Sequence, residues 1–261
     1  MEDKEMTDKV KTIKQQDNQN MVHKSADIEL ASASDTNAEE PKRLKQLETG
    51  SRAEKPKKKN NIQKDEQKNI SWHKGKIDKE AREKKLGQKG MVVWFTGLSA
   101  SGKSTIAVEV EKKLFKKGYS VYRLDGDNMR FGLNKDLGFS EADREENIRR
   151  IGETAALFAD AGLITLASFI SPYQAGRAAA RKAAGEDNFI EVYVKADLET
   201  CAERDPKGLY AKAKNGEIAN FTGISAPYEE PENAELVVDT DKLSLAESVK
   251  KVMKLIISEI N

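Results

Sequence analysis

The sequence predicts an α/β fold, a parallel β-sheet with helices on both faces, preceded by a disordered N-terminal tail. Two observations carry this expectation. After Gly90, short apolar runs alternate with longer amphipathic ones, and strands alternating with helices imply a parallel sheet because parallel neighbours need crossover connections. Ahead of that pattern, residues 1–70 of the 261-residue chain hold 17 apolar residues and no aromatic, every aromatic lying at or beyond Trp72. Such a stretch cannot bury a core.

The elements follow in order. Residues 1–68 read as a low-complexity tail of Lys, Glu, Asp, Gln, Asn and Ser. Within it, KPKKK at 55–59 is more simply a solvated cluster than a nuclear-import or phosphate-binding patch. The composition changes at Ile70, so the globular domain spans 69–261. A short helix is expected over 78–86, ending before Gly87. Strands buried on both faces are expected at 91–96, 120–124, 163–170, 189–194 and 236–238. Helices fit 103–117, 141–161, 174–184 and 197–204. A closing helix places Leu245, Val249, Val252, Met253, Ile256 and Ile260 on one face.

Charge and cysteine usage exclude several classes. Residues 1–90 carry 22 basic and 17 acidic side chains, leaving 23 basic and 27 acidic for the rest of the chain. The globular part is therefore net acidic, which argues against nucleic-acid binding. A single cysteine, Cys201, permits no intramolecular disulfide and no Cys-ligated zinc. The opening MEDKEMTDKV puts charges where a signal peptide needs an apolar stretch, and no run is long enough to span a bilayer. A cytoplasmic, membrane-free protein is the expectation.

The strongest chemical signal is GLSASGKST, comprising Gly97, Leu98, Ser99, Ala100, Ser101, Gly102, Lys103, Ser104 and Thr105. Its glycines let the backbone turn so that successive N–H groups point at phosphate oxygens, and Lys103 reaches the β- and γ-phosphates. Ser104 supplies a hydroxyl for Mg²⁺ bridging the same phosphates. The motif follows the strand MVVWFT and opens a helix with Ile106, Val110 and Leu114 inward, the context a nucleotide-binding P-loop requires.

Other candidates line up behind it. Asp125 and Asp127 close the next strand, where ligands bind in open α/β sheets. Either could serve Mg²⁺ or an attacking hydroxyl, or cap the helix that begins near Asn128. Arg130, Arg144, Arg149 and Arg150 offer guanidinium forks for an anionic second substrate. Phe131 and Phe139 among them could stack on a base or form a small local core. Ser171 follows the third strand; alone it would be a helix cap, with Pro172 at the first helical position. Arg204 and Lys207 open a long Gly-containing segment suited to a mobile lid. His23 and His73 lie away from these groups and are not candidate bases.

Taken together, GLSASGKST, LDGDN, FGLNKDLGFSEADREENIRRIGE, SFISPY, RDPKGLY and NFTGISAPYE resemble the adenylyl-sulfate kinase (APS kinase) family from about residue 69 to the end. The resemblance implies transfer of the γ-phosphoryl of ATP, with Mg²⁺, to the 3′-hydroxyl of adenosine 5′-phosphosulfate (APS). The product is PAPS, the activated donor of sulfate assimilation. It further implies ATP contacts over 97–105 and at Arg204. APS contacts fall on Asp125, Arg130, Phe139, Arg144, Asn147, Ile170, Ser171, Lys207 and Phe221. Ser104 and Asp127 would serve the metal, and Lys103, Asp127 and Ser171 the reaction.

Ser171 matches the serine described in the family as a phosphoserine intermediate. Phosphoryl transfer needs mainly positioning and charge stabilisation, so direct attack by the ribose hydroxyl is the expectation. Gln174 stands where many relatives have a basic residue, with Arg177 remaining for anion attraction. A homodimer is implied. The alternatives are a non-catalytic, PAPS-binding regulatory module and a nucleotide kinase of similar fold.

Overall fold

The computed structural model describes residues 70–71 and 73–260. The expected tail, Trp72 and Asn261 lie outside the described residues. The elements are α1 (Lys79–Leu86), β1 (Met91–Thr96), α2 (Lys103–Lys116), β2 (Val121–Asp125), α3 (Gly126–Phe131), α4 (Glu141–Asp160), β3 (Ile164–Ser168), α5 (Gln174–Ala184), β4 (Phe189–Lys195), α6 (Leu198–Arg204), α7 (Leu209–Lys214), β5 (Leu236–Asp239) and α8 (Leu245–Ile260).

The five strands are parallel in the order β2-β3-β1-β4-β5. Alternation along β1 divides the core into two layers, since successive side chains point to opposite faces. Met91, Val93 and Phe95 pack with Ile106, Val110 and Leu114 of α2 and with Val249, Val252 and Ile256 of α8. Val92 and Trp94 face Ile148, Ile151 and Ala155 of α4 and Ala180 of α5. Helices therefore cover both faces, as the strand–helix alternation requires.

β1, β3 and β4 are buried almost throughout. β2 and β5 are not: Tyr122 and Val237 are exposed, correcting the expectation that all five strands are buried on both faces. Their apolar runs resemble those of the inner strands, but each lies at a sheet edge. Two further helices, α3 and α7, span six residues each, too short for hydrophobic periodicity to announce them.

The topology fixes where chemistry can occur. β1 connects to β2 across β3, whereas β3 connects to β4 across β1, so the strand order reverses beside β1. The carboxyl ends at such a reversal form the ligand crevice of open α/β sheets. Register brings Asp125 level with Ser168, and Ser168 level with Phe95, at that edge.

Candidate active site

The phosphate loop leaves β1 through Gly97 at φ +147° and enters α2 through Gly102 at φ +99°. A Cβ on Gly97 would stand 2.3 Å from the Val194 carbonyl oxygen, so only glycine fits there. The loop is braced from outside. Tyr210 donates its hydroxyl to the Ser99 carbonyl at 3.0 Å, and Thr240 Oγ1 donates to the Ser101 carbonyl at 3.0 Å. Arg204 holds Thr240 through its Oγ1 and carbonyl, at 3.0 and 2.9 Å, and so reaches the loop through a second residue.

Lys103 is buried at the head of α2 and donates to the Leu98 carbonyl at 2.6 Å. Burial draws its pKa down from 10.5 to about 8, and Lys207 adds to the fall; Cys201, Asp125 and Asp127 oppose it. A desolvated ammonium at the N-terminus of a helix is suited to a polyphosphate. Ser104 Oγ lies 3.3 Å from Ser168 Oγ.

Asp125 caps α3, accepting from the Asp127 backbone N–H at 3.2 Å, and pairs with Arg123 at 3.1 Å. The capping role weighed from the sequence is thus real, and it fixes the carboxylate at the crevice. Asp127 is exposed in the first turn of α3 and meets the Lys207 ammonium.

The four arginines separate into two kinds. Arg149 pairs with Glu146, and Arg150 with Glu146 and Asp136; their forks are spent on carboxylates, which corrects their expected place around an anion. Among the described residues Arg130 and Arg144 pair with no carboxylate. Arg130 donates to the carbonyls of Leu137 and Gly138 at 3.1 and 2.8 Å and lies 4.3 Å from the centre of the Phe139 ring. Arg144 donates to the Phe139 carbonyl at 3.0 Å and to Asn220 and Thr222. Burial lowers the pKa of both, and for Arg130 the nearby Arg144 cation adds to the fall. Two guanidiniums without a carboxylate ion pair have the chemistry to hold an anion.

Phe139 is 63% exposed and Phe131 85%, so neither forms the local core that the sequence allowed. Asn147 is buried on α4 and accepts from Asn134 at 2.9 Å. Phe221 is buried edge-on against Tyr210, ring centres 4.9 Å apart.

Ser171 is only 2% exposed and sits at φ +42°. Its Oγ accepts from Trp94 Nε1 at 3.0 Å and donates to Thr96 Oγ1 at 2.9 Å. It caps no helix: α5 begins at Gln174 behind an N-cap Tyr173 without a side-chain bond, and Pro172 precedes the helix. Thr96 Oγ1 donates to the Ile170 carbonyl at 2.7 Å and bonds the Tyr228 hydroxyl at 3.0 Å. Arg177 is buried against Glu191 at 2.6 Å, which corrects its expected role in anion attraction. Sequence reasoning missed Trp94, Thr96, Tyr228 and Thr240; only the position of Thr96 immediately before Gly97 signalled one of them.

A parallel sheet reversing beside a phosphate loop, with a buried lysine at the loop, defines a P-loop phosphotransferase. The family profile described as adenylylsulphate kinase matches residues 89–239, more than half of the chain. The adenylyl-sulfate kinase of Prochlorococcus marinus is 55% identical over 193 residues, covering 74% of this chain and 96% of the relative. That of Staphylococcus carnosus is 56% identical over 186 residues, covering 71% and 94%. Among solved structures, the Mycobacterium tuberculosis APS kinase in complex with AMPPNP and APS is 51% identical with a TM-score of 0.63, covering 65% of this chain and 98% of that one. A hexameric APS kinase from Thiobacillus denitrificans is 32% identical with a TM-score of 0.51, covering 68% and 30%. The chain belongs to the adenylyl-sulfate kinase family and is an enzyme of phosphoryl transfer.

Proposed function

We infer that the chain transfers the γ-phosphoryl of ATP to the 3′-hydroxyl of APS, releasing ADP and PAPS. The observation that carries this reading is an intact phosphate loop with Lys103 buried at its head, in a chain whose Arg130 and Arg144 have no carboxylate partners among the described residues. The non-catalytic alternative needs a disabled loop, and Gly97, Gly102, Lys103 and Ser104 are all present.

In this reading the triphosphate lies on the N–H groups of 97–105, with Lys103 against the γ-phosphoryl and Arg204 steadying the loop through Thr240. APS lies across the crevice, its sulfate and phosphate toward Arg130 and Arg144 and its base between Phe139 and Phe221. Asp125, Asn147, Ile170 and Lys207 surround the ribose and phosphosulfate. The 3′-oxygen attacks phosphorus in line, the bond to the β-phosphate oxygen breaks, and Asp127 takes the proton released. Catalysis is then positioning plus charge stabilisation.

Ser104 and Asp127 are an oxygen set suited to Mg²⁺, and among the described residues no cluster of acidic or His/Cys side chains forms a full cage. That sparse set fits an ion held largely by phosphate oxygens and water. When bound, Mg²⁺ would neutralise charge on the β- and γ-phosphates. The homodimer remains an expectation that sedimentation of the full chain tests. Among the described residues no helix is long and apolar enough to cross a membrane.

Both sides of the Ser171 hydroxyl are engaged, by Trp94 and Thr96, which supports direct transfer. A coupled assay of ADP release with and without APS should show APS-dependent turnover. Ser171→Ala should retain it with a loss of about tenfold at most, as for one hydrogen bond. Phosphoserine at 171, formed from labelled ATP and chased into PAPS at the turnover rate, would overturn direct transfer.

A further inference from the structure

Arg177 is charged and buried, and its donors reach two segments on which the acceptor pocket depends. It lies on α5 with 3% of its surface exposed. Nη1 donates to the Ser171 carbonyl at 2.8 Å and Nη2 to the Glu229 carbonyl at 2.9 Å. Nε faces the Glu191 carboxylate of β4 at 2.6 Å. The same two segments meet twice more: the Glu229 N–H donates to the Pro172 carbonyl at 2.8 Å, and its carboxylate accepts from the Gln174 N–H at 2.6 Å. Tyr228, next to Glu229, bonds Thr96 and stacks on Tyr193 with ring centres 6.1 Å apart.

Stability alone is a poor reason for this arrangement, because a buried ion pair is often matched or bettered by apolar residues of similar volume. An apolar pair cannot supply simultaneous donation to carbonyls from chain segments more than fifty residues apart. One of those carbonyls belongs to Ser171, a non-glycine residue in the left-handed region, a conformation that persists only where its surroundings impose it. The other belongs to the segment into which the lid after α6 runs, past Phe221.

We propose that Arg177 is a positioning residue: it locks the Ile170–Ser171 wall and the Tyr228–Glu229 end of the lid into one register, and so sets affinity for the acceptor nucleotide without touching it. This inference rests on the reading of the crevice as an APS site. Arg177 makes no bond to the phosphate loop, whose carbonyls are braced by Tyr210 and Thr240, the latter held by Arg204.

Three full-length variants test it, each followed by thermal melting and by KM for APS and for ATP. Arg177→Met leaves Glu191 buried without its partner and should melt well below wild type. Arg177→Met combined with Glu191→Met should regain the melting temperature yet keep a KM for APS raised about tenfold or more, with KM for ATP within roughly twofold. Arg177→Lys keeps the charge toward Glu191, but a compact ammonium cannot reproduce the planar fork; it should fold and show the same split. Wild-type KM for APS in the double variant or in Arg177→Lys overturns the proposal, as does equal damage to both substrates. If the double variant fails to fold, Arg177→Lys decides alone. Wild-type protein that releases no ADP when APS is added would sink the APS reading itself, whereas an active wild type with no split sinks only the role of Arg177.

Discussion

In the proposed reaction Lys103 must be charged to stabilise the transferring phosphoryl group, and the fold buries it where charge is costly. The unfolded lysine holds its proton up to 10.5 and the folded one only to about 8. The penalty is therefore fully present below pH 8 and is relieved as pH rises between those values. Function runs the other way: kcat/KM for ATP, which reports the free enzyme, should fall as pH passes through about 8. Lys103→Met should abolish turnover and stabilise the fold at pH 7 by on the order of 1–3 kcal/mol once the lost Leu98 hydrogen bond is deducted, seen as a higher melting temperature. Calorimetry of that variant beside wild type checks the sign; a lower melting temperature would mean the bond outweighs desolvation. The place of Lys103 at the head of a helix, behind a glycine loop that follows a strand, was legible in the sequence because GLSASGKST constrains the backbone. The fates of Arg149, Arg150 and Arg177 were not, because an arginine's partners are chosen by tertiary placement: Glu146, Asp136 and Glu191 claimed them.

At the scale of elements, the segment between α6 and β5 hangs on Asp205. Its carboxylate accepts from the N–H groups of Leu209, Tyr210 and Ala211 at 2.8, 2.9 and 3.2 Å, fixing the start of α7. That helix carries Tyr210 to both Ser99 and Phe221. Asp205→Ala should cost about 1–2 kcal/mol locally, as for loss of a helix cap. Because opening and cleavage are linked through the population of the open form, proteolysis within 205–227 should quicken about fivefold to thirtyfold across that range. Unchanged cleavage would show that other contacts hold the lid. The long helices α2, α4 and α8 were legible from their apolar spacing. α3 and α7 were not, since six residues make less than two turns and their boundaries are set by Asp125 and Asp205 acting as caps. Membership of the sheet was legible, but strand order was not: nothing local to β2 or β5 says that each ends at an edge.

Across the whole molecule, the sequence divides a chain poor in apolar side chains from one able to close two core layers around a sheet. Deleting residues 1–68 should leave the melting temperature and turnover at wild-type values, because that stretch has no aromatic and few aliphatic groups to contribute. A clear drop in either would mean that it docks on the kinase domain. The sheet itself puts an indole to further use. Trp94 lies fully buried at the centre of β1, between the rings of Phe169 and Phe189 at 5.8 Å each, with its N–H on Ser171. Trp72 is the one other indole in the sequence. Indole emission follows the polarity around the ring and the bonding of its N–H, so the light this chain emits is an intrinsic gauge of the surroundings of Ser171, coupled through a single hydrogen bond. A Trp72→Phe chain would let that gauge be read without any label, during ligand binding as well as at rest.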